Sequence, residues 1–275
     1  MQLLIFGFGY TARRIAAVLV AKGWTVTGTT RDGRDGTVAF ADTDRVRHEI
    51  ARATHILSSV PPAEGADPVL ASYGNDLRGH LAYLSSTGVY GDAGGAWVDE
   101  SAPTGTGRRT ARAEADAAWL ERGARVFRLP GIYGPSRSPL DRVAAGTAHR
   151  VDLPDQVFSR CHVDDIASGV IAGLDAPPGA YNLADDLPCS QNEVIEYAAA
   201  LLGLEPPPFV MLDSLSPMAR GFYAENRRVA NGKAKRVLRW TPAYSDYRFG
   251  LRALNAITSP AIASAPPAAA SSDQR

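Results

Sequence analysis

Leu3-Leu4-Ile5-Phe6-Gly7-Phe8-Gly9-Tyr10-Thr11-Ala12 decides the fold of this chain. Four consecutive apolar residues, too few for a helix, read as a strand buried on both faces, as in a parallel sheet. Ile15, Val18 and Leu19 then recur at helical spacing, and Gly23 stands where a helix would end. Between strand and helix lies Gly7-x-Gly9-x-x-Ala12. Gly7 permits the sharp turn, Gly9 lacks the Cβ that would hold a pyrophosphate away, and Ala12 is small enough for the helix to pack on the strand. The N–H groups and positive dipole end of the helix, at Tyr10 and Thr11, then face the phosphates. A lone glycine pattern is weak. This one follows a strand and opens a helix, which favours a dinucleotide site over a ligand-free glycine turn.

The totals set limits. At 275 residues the chain forms one large domain or two small ones and can bury a sizeable core. Its 29 basic and 29 acidic residues balance, so nothing points to nucleic acid or an anionic membrane as partner. The scarcity of lysine among the basic residues reads as genomic composition. Cys161 and Cys189 make no metal spacing and read as free thiols in a reducing compartment; no metal is expected. No basic leader and no long apolar run is visible, so the expectation is a cytoplasmic protein, monomer or homodimer, acting on a small molecule.

Trp24 to Thr30 reads as the second strand. The residue at its end meets the adenosine ribose in a dinucleotide fold, and an acid there would repel a 2′-phosphate. This chain has Thr29-Thr30-Arg31 instead, a hydroxyl and a guanidinium that suit the phosphate, so NADP is expected over NAD. The neighbouring Asp32 weighs the other way, and a solvated loop arginine is the alternative.

Further strands are expected at Thr37–Ala41, His55–Val60, Leu81–Val89 and Arg125–Leu129, with a last short one at Tyr181–Leu183. Helices are expected over Val69–His80, over Arg109–Arg122 with Ala113, Ala117 and Leu120 buried, from His162 through Leu174 with Asp164 or Asp165 as N-cap, over Glu193–Leu202 with Ser190 as cap, and around Tyr247–Ile257. The alternation argues for a doubly wound parallel sheet. Residues 136–160 carry Arg137, Arg142, Arg150 and Arg160 with little periodicity, and the Ala/Ser/Pro-rich stretch from 258 to 275 reads as a disordered tail.

Four motifs stand in order: the glycine turn, Ser85-Ser86-Thr87-Gly88-Val89-Tyr90-Gly91, Arg128-Leu129-Pro130-Gly131-Ile132-Tyr133-Gly134-Pro135, and His162-Val163-Asp164-Asp165. With them the chain, from Met1 to about Ile257, resembles the extended short-chain dehydrogenase/reductases, the NAD-dependent epimerase/dehydratase-like group. The resemblance implies a Rossmann α/β fold with a small discontinuous α/β substrate lobe. The NADP-binding domain would take residues 1–135 with 162–186, and the lobe 136–161 with 187–257. It implies sugar-nucleotide-like substrates and a transient or net hydride transfer. It places Ser86 on the reacting oxygen with Thr87 beside it. It puts Gly7, Gly9, Tyr10, Thr11, Ala12, Thr30, Arg31, Ser58, Ser59, Val60 and Pro130 around the cofactor. Tyr133 and Arg160 are expected at the substrate, with Arg137 or Arg150 as further anion ligands.

One departure stands out. The family's Tyr-x-x-x-Lys pair is missing, because no tyrosine here is followed four residues later by lysine. Helix alignment puts Arg108 at the tyrosine position and Arg112 at the lysine position. Arg112 keeps donors for ribose hydroxyls, whereas a guanidinium at 108 stays protonated and cannot act as acid/base. Tyr90 and Tyr133 are candidate substitutes. The reading is an atypical NADP-dependent oxidoreductase or epimerase. The alternative is a catalytically silent NADP-binding sensor or scaffold.

Overall fold

The computed structural model describes residues 1–63, 65–108 and 110–258; the expected tail, apart from its first residue, lies outside the described residues. The chain opens with β1 (Gln2–Phe6), α1 (Tyr10–Ala21), β2 (Thr25–Thr30), β3 (Val38–Ala39), α2 (Thr43–Arg52), β4 (His55–Ser58), α3 (Pro68–Tyr73) and β5 (His80–Ser86). Then follow β6 (Trp97–Val98), α4 (Thr110–Glu121), β7 (Arg125–Leu129), β8 (Gly131–Tyr133), α5 (Pro139–Ala144), β9 (Arg150–Val151) and β10 (Arg160–His162). The last stretch holds α6 (Val163–Gly173), β11 (Gly179–Asn182), α7 (Gln191–Leu202), β12 (Phe209–Val210), α8 (Pro217–Tyr223), β13 (Arg228–Val229), α9 (Gly232–Leu238) and α10 (Tyr247–Thr258).

Seven strands form one parallel sheet in the order β11-β7-β5-β4-β1-β2-β3. The order reverses at β1, which lies between β2 and β4. Ligands of open α/β sheets bind beyond the strand C-termini at such a switch point. Both faces of β1 are covered, as its apolar run requires. Leu3 and Ile5 join α1 and α6 on one face, while Leu4 and Phe6 join α2, α3 and α4 on the other. Each such fully buried side chain contributes about 1.5–3 kcal/mol by transfer from water. A third cluster gathers Tyr133, Leu140 and Val143 with α7 and α10. Although α9 and Trp240 fall within the stretch assigned to the lobe by sequence, Ala234, Leu238 and Trp240 pack in the same cluster as Leu3 and Ile5.

Several local readings are corrected. The helix expected to run to His80 stops at Tyr73; Gly79 turns the chain with φ +77° and His80 already starts β5. The strand expected through Val89 ends at Ser86, because Thr87–Tyr90 winds into a 3₁₀ turn that Ser86 caps. On α4 the buried residues include Ala113, Asp116 and Trp119, while Ala117 is exposed. The cause is polar: Asp116 is paired with Arg128, and the Trp119 indole donates to Asp67 at 2.8 Å. The N-cap of α6 is His162, whose Nδ1 accepts from the Asp164 N–H. Asp165 instead accepts the N–H groups of Ala243 and Tyr244 at 2.7 and 3.0 Å. Among the described residues, no helix is long and apolar enough to cross a membrane.

Candidate functional site

The glycine turn is built as its residue types demand. Gly7 has φ +80°, in the left-handed region, and a Cβ there would meet Val60 Cγ2 at 2.9 Å and Ser59 Oγ at 3.2 Å. Ser59 and Val60, at the end of β4, therefore pack against the turn, and the Ser59 hydroxyl donates to the Gly7 carbonyl at 2.6 Å. Ala12 is fully buried between helix and sheet. Around Gly9 no atom lies within 4 Å of where a Cβ would stand. The first turn of α1 carries no acidic residue and no side-chain cap. Free N–H groups, the dipole and open space coincide there, which suits a phosphate anion.

This turn opens into a cleft of about 1070 Å³. The strand ends form its floor, with Gly9, Tyr10, Thr11, Ser59, Ser86, Thr87, Arg112, Pro130, Tyr133 and Arg160 among its lining residues. The structure thus brings ten of the expected site residues to one cleft. Gly7, Ala12 and Val60 stand behind it as support. Ser58 is fully buried, with its Oγ within 3.4 Å of the Val60 N–H, and does not reach the cleft. The Thr30 hydroxyl is occupied by its own loop, within hydrogen-bond distance of Thr37 Oγ1 at 2.7 Å and accepting the Gly33 N–H at 3.0 Å. Arg31 stands exposed at the end of β2.

Ser86 Oγ accepts the Gly88 N–H at 3.1 Å. That bond uses a lone pair and leaves the hydroxyl proton for a ligand oxygen. Arg112 donates to the Tyr83 hydroxyl at 2.7 Å, anchored on a ring stacked against Trp119. Arg108, expected from the helix alignment to stand at a tyrosine position, points towards Glu225, whose Oε1 lies 3.5 Å from its Nε.

Neither candidate tyrosine substitute presents its hydroxyl to the cleft. Tyr90 donates to Asn182 Oδ1 at 2.8 Å and accepts from Arg128 at 3.0 Å, beneath the floor. The Tyr133 ring lines the cleft, but its hydroxyl is turned against Gly250, where a Cβ would stand 2.2 Å away. Burial pushes its pKa up. Tyr10, also in the wall, donates to the Pro135 carbonyl at 3.0 Å. Tyr223, on α8, also lines the cleft and makes no hydrogen bond through its hydroxyl among the described residues. Burial raises the Tyr223 pKa while the neighbouring Arg142 guanidinium lowers it. Sequence reasoning missed this residue, since α8 is a helix of only seven residues; only Ser216-Pro217, a cap followed by proline, signals it.

The cleft is strongly cationic although the chain is neutral. Arg108, Arg112, Arg137, Arg142, Arg160 and Arg227 line it, against the acids Asp141 and Glu225. Both acids are engaged: Asp141 accepts the Ser138 N–H in a capping box, and Glu225 holds Arg108 and Arg227. Against the upward pull of burial, those donors keep Glu225 below the usual carboxylate range. Arg112, Arg137, Arg142 and Arg160 have no salt-bridged carboxylate among the described residues. Arg160 is buried, with Nη1 within 2.8 Å of Cys189 Sγ and its guanidinium over the Tyr247 ring. It is a fixed part of the wall rather than an exposed loop residue. Arg150 is not in the cleft at all; it pairs with Glu196 at 2.8 Å and lies over Phe209.

No protein-family model matches the chain. It is 29% identical over 270 residues to protein YeeZ of Escherichia coli K12, covering 84% of this chain and 93% of YeeZ. A solved structure of a functionally unknown conserved protein from Silicibacter pomeroyi is 41% identical, with a TM-score of 0.84 over 93% of this chain and 98% of that one. Two more distant structures superpose with a TM-score of 0.74. They are dTDP-glucose 4,6-dehydratase of Bacillus anthracis in complex with NAD, 17% identical over 93% of this chain and 95% of that one, and a human epimerase family protein with NADPH, 14% identical over 93% of this chain and 99% of that one. These two share the fold.

Proposed function

We propose that this chain, which belongs to the family of the Silicibacter pomeroyi protein and has the short-chain dehydrogenase/reductase fold of the epimerases and dehydratases, is an NADP-dependent oxidoreductase or epimerase acting on a small anionic or sugar-nucleotide-like substrate. One observation carries the reading. A single cleft joins an uncapped helix N-terminus, the Ser86 hydroxyl and four arginines without salt-bridged carboxylates. A nicotinamide cofactor, when bound, supplies the hydride chemistry. The N–H groups of Tyr10 and Thr11 would hold its pyrophosphate, and the open space at Gly9 fits that approach. Arg31 would accept the 2′-phosphate, since no acid ends β2 to repel it.

Ser86 donates its free proton to the substrate oxygen, and Arg112, Arg142 and Arg160 neutralise the substrate anion. The acid/base part falls to Tyr223, a cleft hydroxyl with a guanidinium beside it. Burial leaves that hydroxyl's pKa raised, and the Arg142 guanidinium opposes part of the rise.

The test is NADPH oxidation and NADP reduction over a panel of carbonyl compounds, alcohols and nucleotide sugars, for wild type, Ser86→Ala and Tyr223→Phe. Loss of acid–base help at Tyr223 should lower kcat about 10²–10⁴-fold. Turnover insensitive to both substitutions removes the mechanism. NADPH binding with no turnover on any substrate replaces the enzyme with a cofactor-binding sensor. Calorimetry in the same series should show Arg31→Ala weakening NADP by roughly ten- to a hundredfold, as expected for a charged hydrogen bond, with NAD unchanged. Equal losses for both nucleotides refute the NADP preference.

A further inference from the structure

A second cluster of chemically capable side chains lies at the other end of the sheet. β4 and β5 begin side by side, and His55 and His80 are register partners in that parallel pair. Their rings lie 4.7 Å apart between centroids. Asp175, just beyond α6, brings Oδ1 to 2.9 Å from His55 Nε2 and 3.1 Å from His80 Nδ1. The three potential ligand atoms all lie within 4.8 Å of one another. Asp175 is 120 residues from His55 in the chain, so no sequence spacing announces the group.

We propose that His55, His80 and Asp175 bind a divalent transition-metal ion of the zinc type. Two imidazole nitrogens and one carboxylate oxygen suit such an ion and not calcium or magnesium, which take oxygen sets. Metal–ligand bonds of about 2.0–2.2 Å set tetrahedral ligand atoms roughly 3.3 Å apart, so small side-chain rotations convert the observed cluster into a coordination shell. His55 is the fixed point. Its side chain is 4% exposed and its ring lies 4.9 Å from that of Trp24. His80 and Asp175 are 45% and 59% exposed, which leaves a path for the ion and room for water at the remaining positions.

The surroundings of His55 strengthen the case. The Thr54 hydroxyl donates to the Gln2 carbonyl at 2.9 Å and accepts the Gln2 N–H at 3.2 Å. Its single proton is thereby committed, so at 2.9 Å from His55 Nδ1 it serves as acceptor and Nδ1 as donor. With Nδ1 donating to Thr54, Nε2 is the nitrogen that faces the Asp175 carboxylate, where it donates when the ring is an imidazolium and offers its lone pair to a metal ion when the ring is deprotonated. A hydrogen-bonded outer nitrogen that fixes the tautomer is the usual support of a metal-ligating histidine. The site is a clamp: it ties the starts of β4 and β5 to the exit of α6. It lies away from the cleft, which Ser59 and Ser86 reach at the opposite ends of the same strands.

The experiment is calorimetric titration of zinc into the untagged, metal-stripped full chain, with His80→Ala and Asp175→Asn in parallel. Both positions are half-exposed, and melting of the metal-free proteins checks that the variants fold. Wild type should bind one ion per chain at micromolar or tighter affinity, and each variant should lose at least tenfold. Zinc should raise the melting temperature of wild type only, because an ion that binds the folded state stabilises it by mass action. Cobalt substitution should give the visible absorption of a nitrogen- and oxygen-ligated low-coordinate ion in wild type alone. Binding no tighter than millimolar, or one-to-one binding that both variants retain, overturns the site.

Discussion

The charged pair beneath the cleft floor lends itself to a quantitative test. Arg128 on β7 donates to both carboxylate oxygens of Asp116 on α4, at 3.0 and 2.7 Å, and the two side chains are 4% and 1% exposed. Ser85, in the floor itself, donates to the same carboxylate at 2.6 Å, and Arg128 also donates to Tyr90. Asp116→Ala leaves a guanidinium without its counter-charge in a dry interior. The expected loss is about 3–5 kcal/mol, or roughly 6–20 °C in melting temperature for a chain of this size. The double substitution Asp116→Leu with Arg128→Met removes both charges at similar volume and should recover most of the loss, since a buried pair replaced by apolar residues is often neutral. Urea denaturation of wild type, Asp116→Leu, Arg128→Met and the double variant closes a cycle that gives the coupling directly. A single-variant loss below about 1 kcal/mol, the range of exposed pairs, or a double variant weaker than Asp116→Ala, would refute the argument that the pair is held by mutual compensation.

Two other tests separate cofactor contact and titration from folding. Gly9→Ala adds a methyl group where no protein atom lies within 4 Å, so the melting temperature should hold while calorimetry shows nicotinamide nucleotides binding more weakly; unchanged affinity would mean that phosphates do not approach there. Asp185 is buried with no side-chain partner for its carboxylate, and burial pushes its pKa up to about 8 against the opposing pull of Arg160 and of the Leu187 N–H. Between its unfolded value near 4 and that value the folded state binds the extra proton, so stability should fall as pH rises through this window, by up to about 5 kcal/mol. Asp185→Asn should flatten that decline in urea melts at pH 5 and pH 8, and an equal slope in both proteins would discount the raised pKa.

The stretch from Leu3 to Ala12 was legible because its signals are local: a run of apolar residues, glycines at fixed spacing and a helical repeat. Capping was equally readable at Ser190, whose capping box with Glu193 stands in the structure. The polar interior was not. Nothing in the sequence announces that Asp116 and Arg128 pair across 12 residues, and with that pairing the buried face of α4 shifts. Helix α2 escaped because it buries only Val46 and Ile50 and is polar elsewhere. The far wall of the cleft escaped for a different reason. Tyr223 ends a short helix and Glu225 lies in the loop after it, and both are placed by partners distant in the chain: Tyr223 by Phe158, and Glu225 by the Arg108 N–H across 117 residues.

That distance has a consequence for the order in which a nascent chain can become a working protein. The glycine turn and its Ser59 support come from the first sixty residues. The opposite wall waits for β13, whose partner is β6, and for Asn226, whose N–H reaches Asp92 across 134 residues. Trp240, later still, fills the core under α1 and α6. A ribosome must therefore release nearly the whole polypeptide before the cleft has two sides. Chains cut short before α8 would keep the glycine turn yet lack the part of the wall that Tyr223, Glu225 and Arg227 supply.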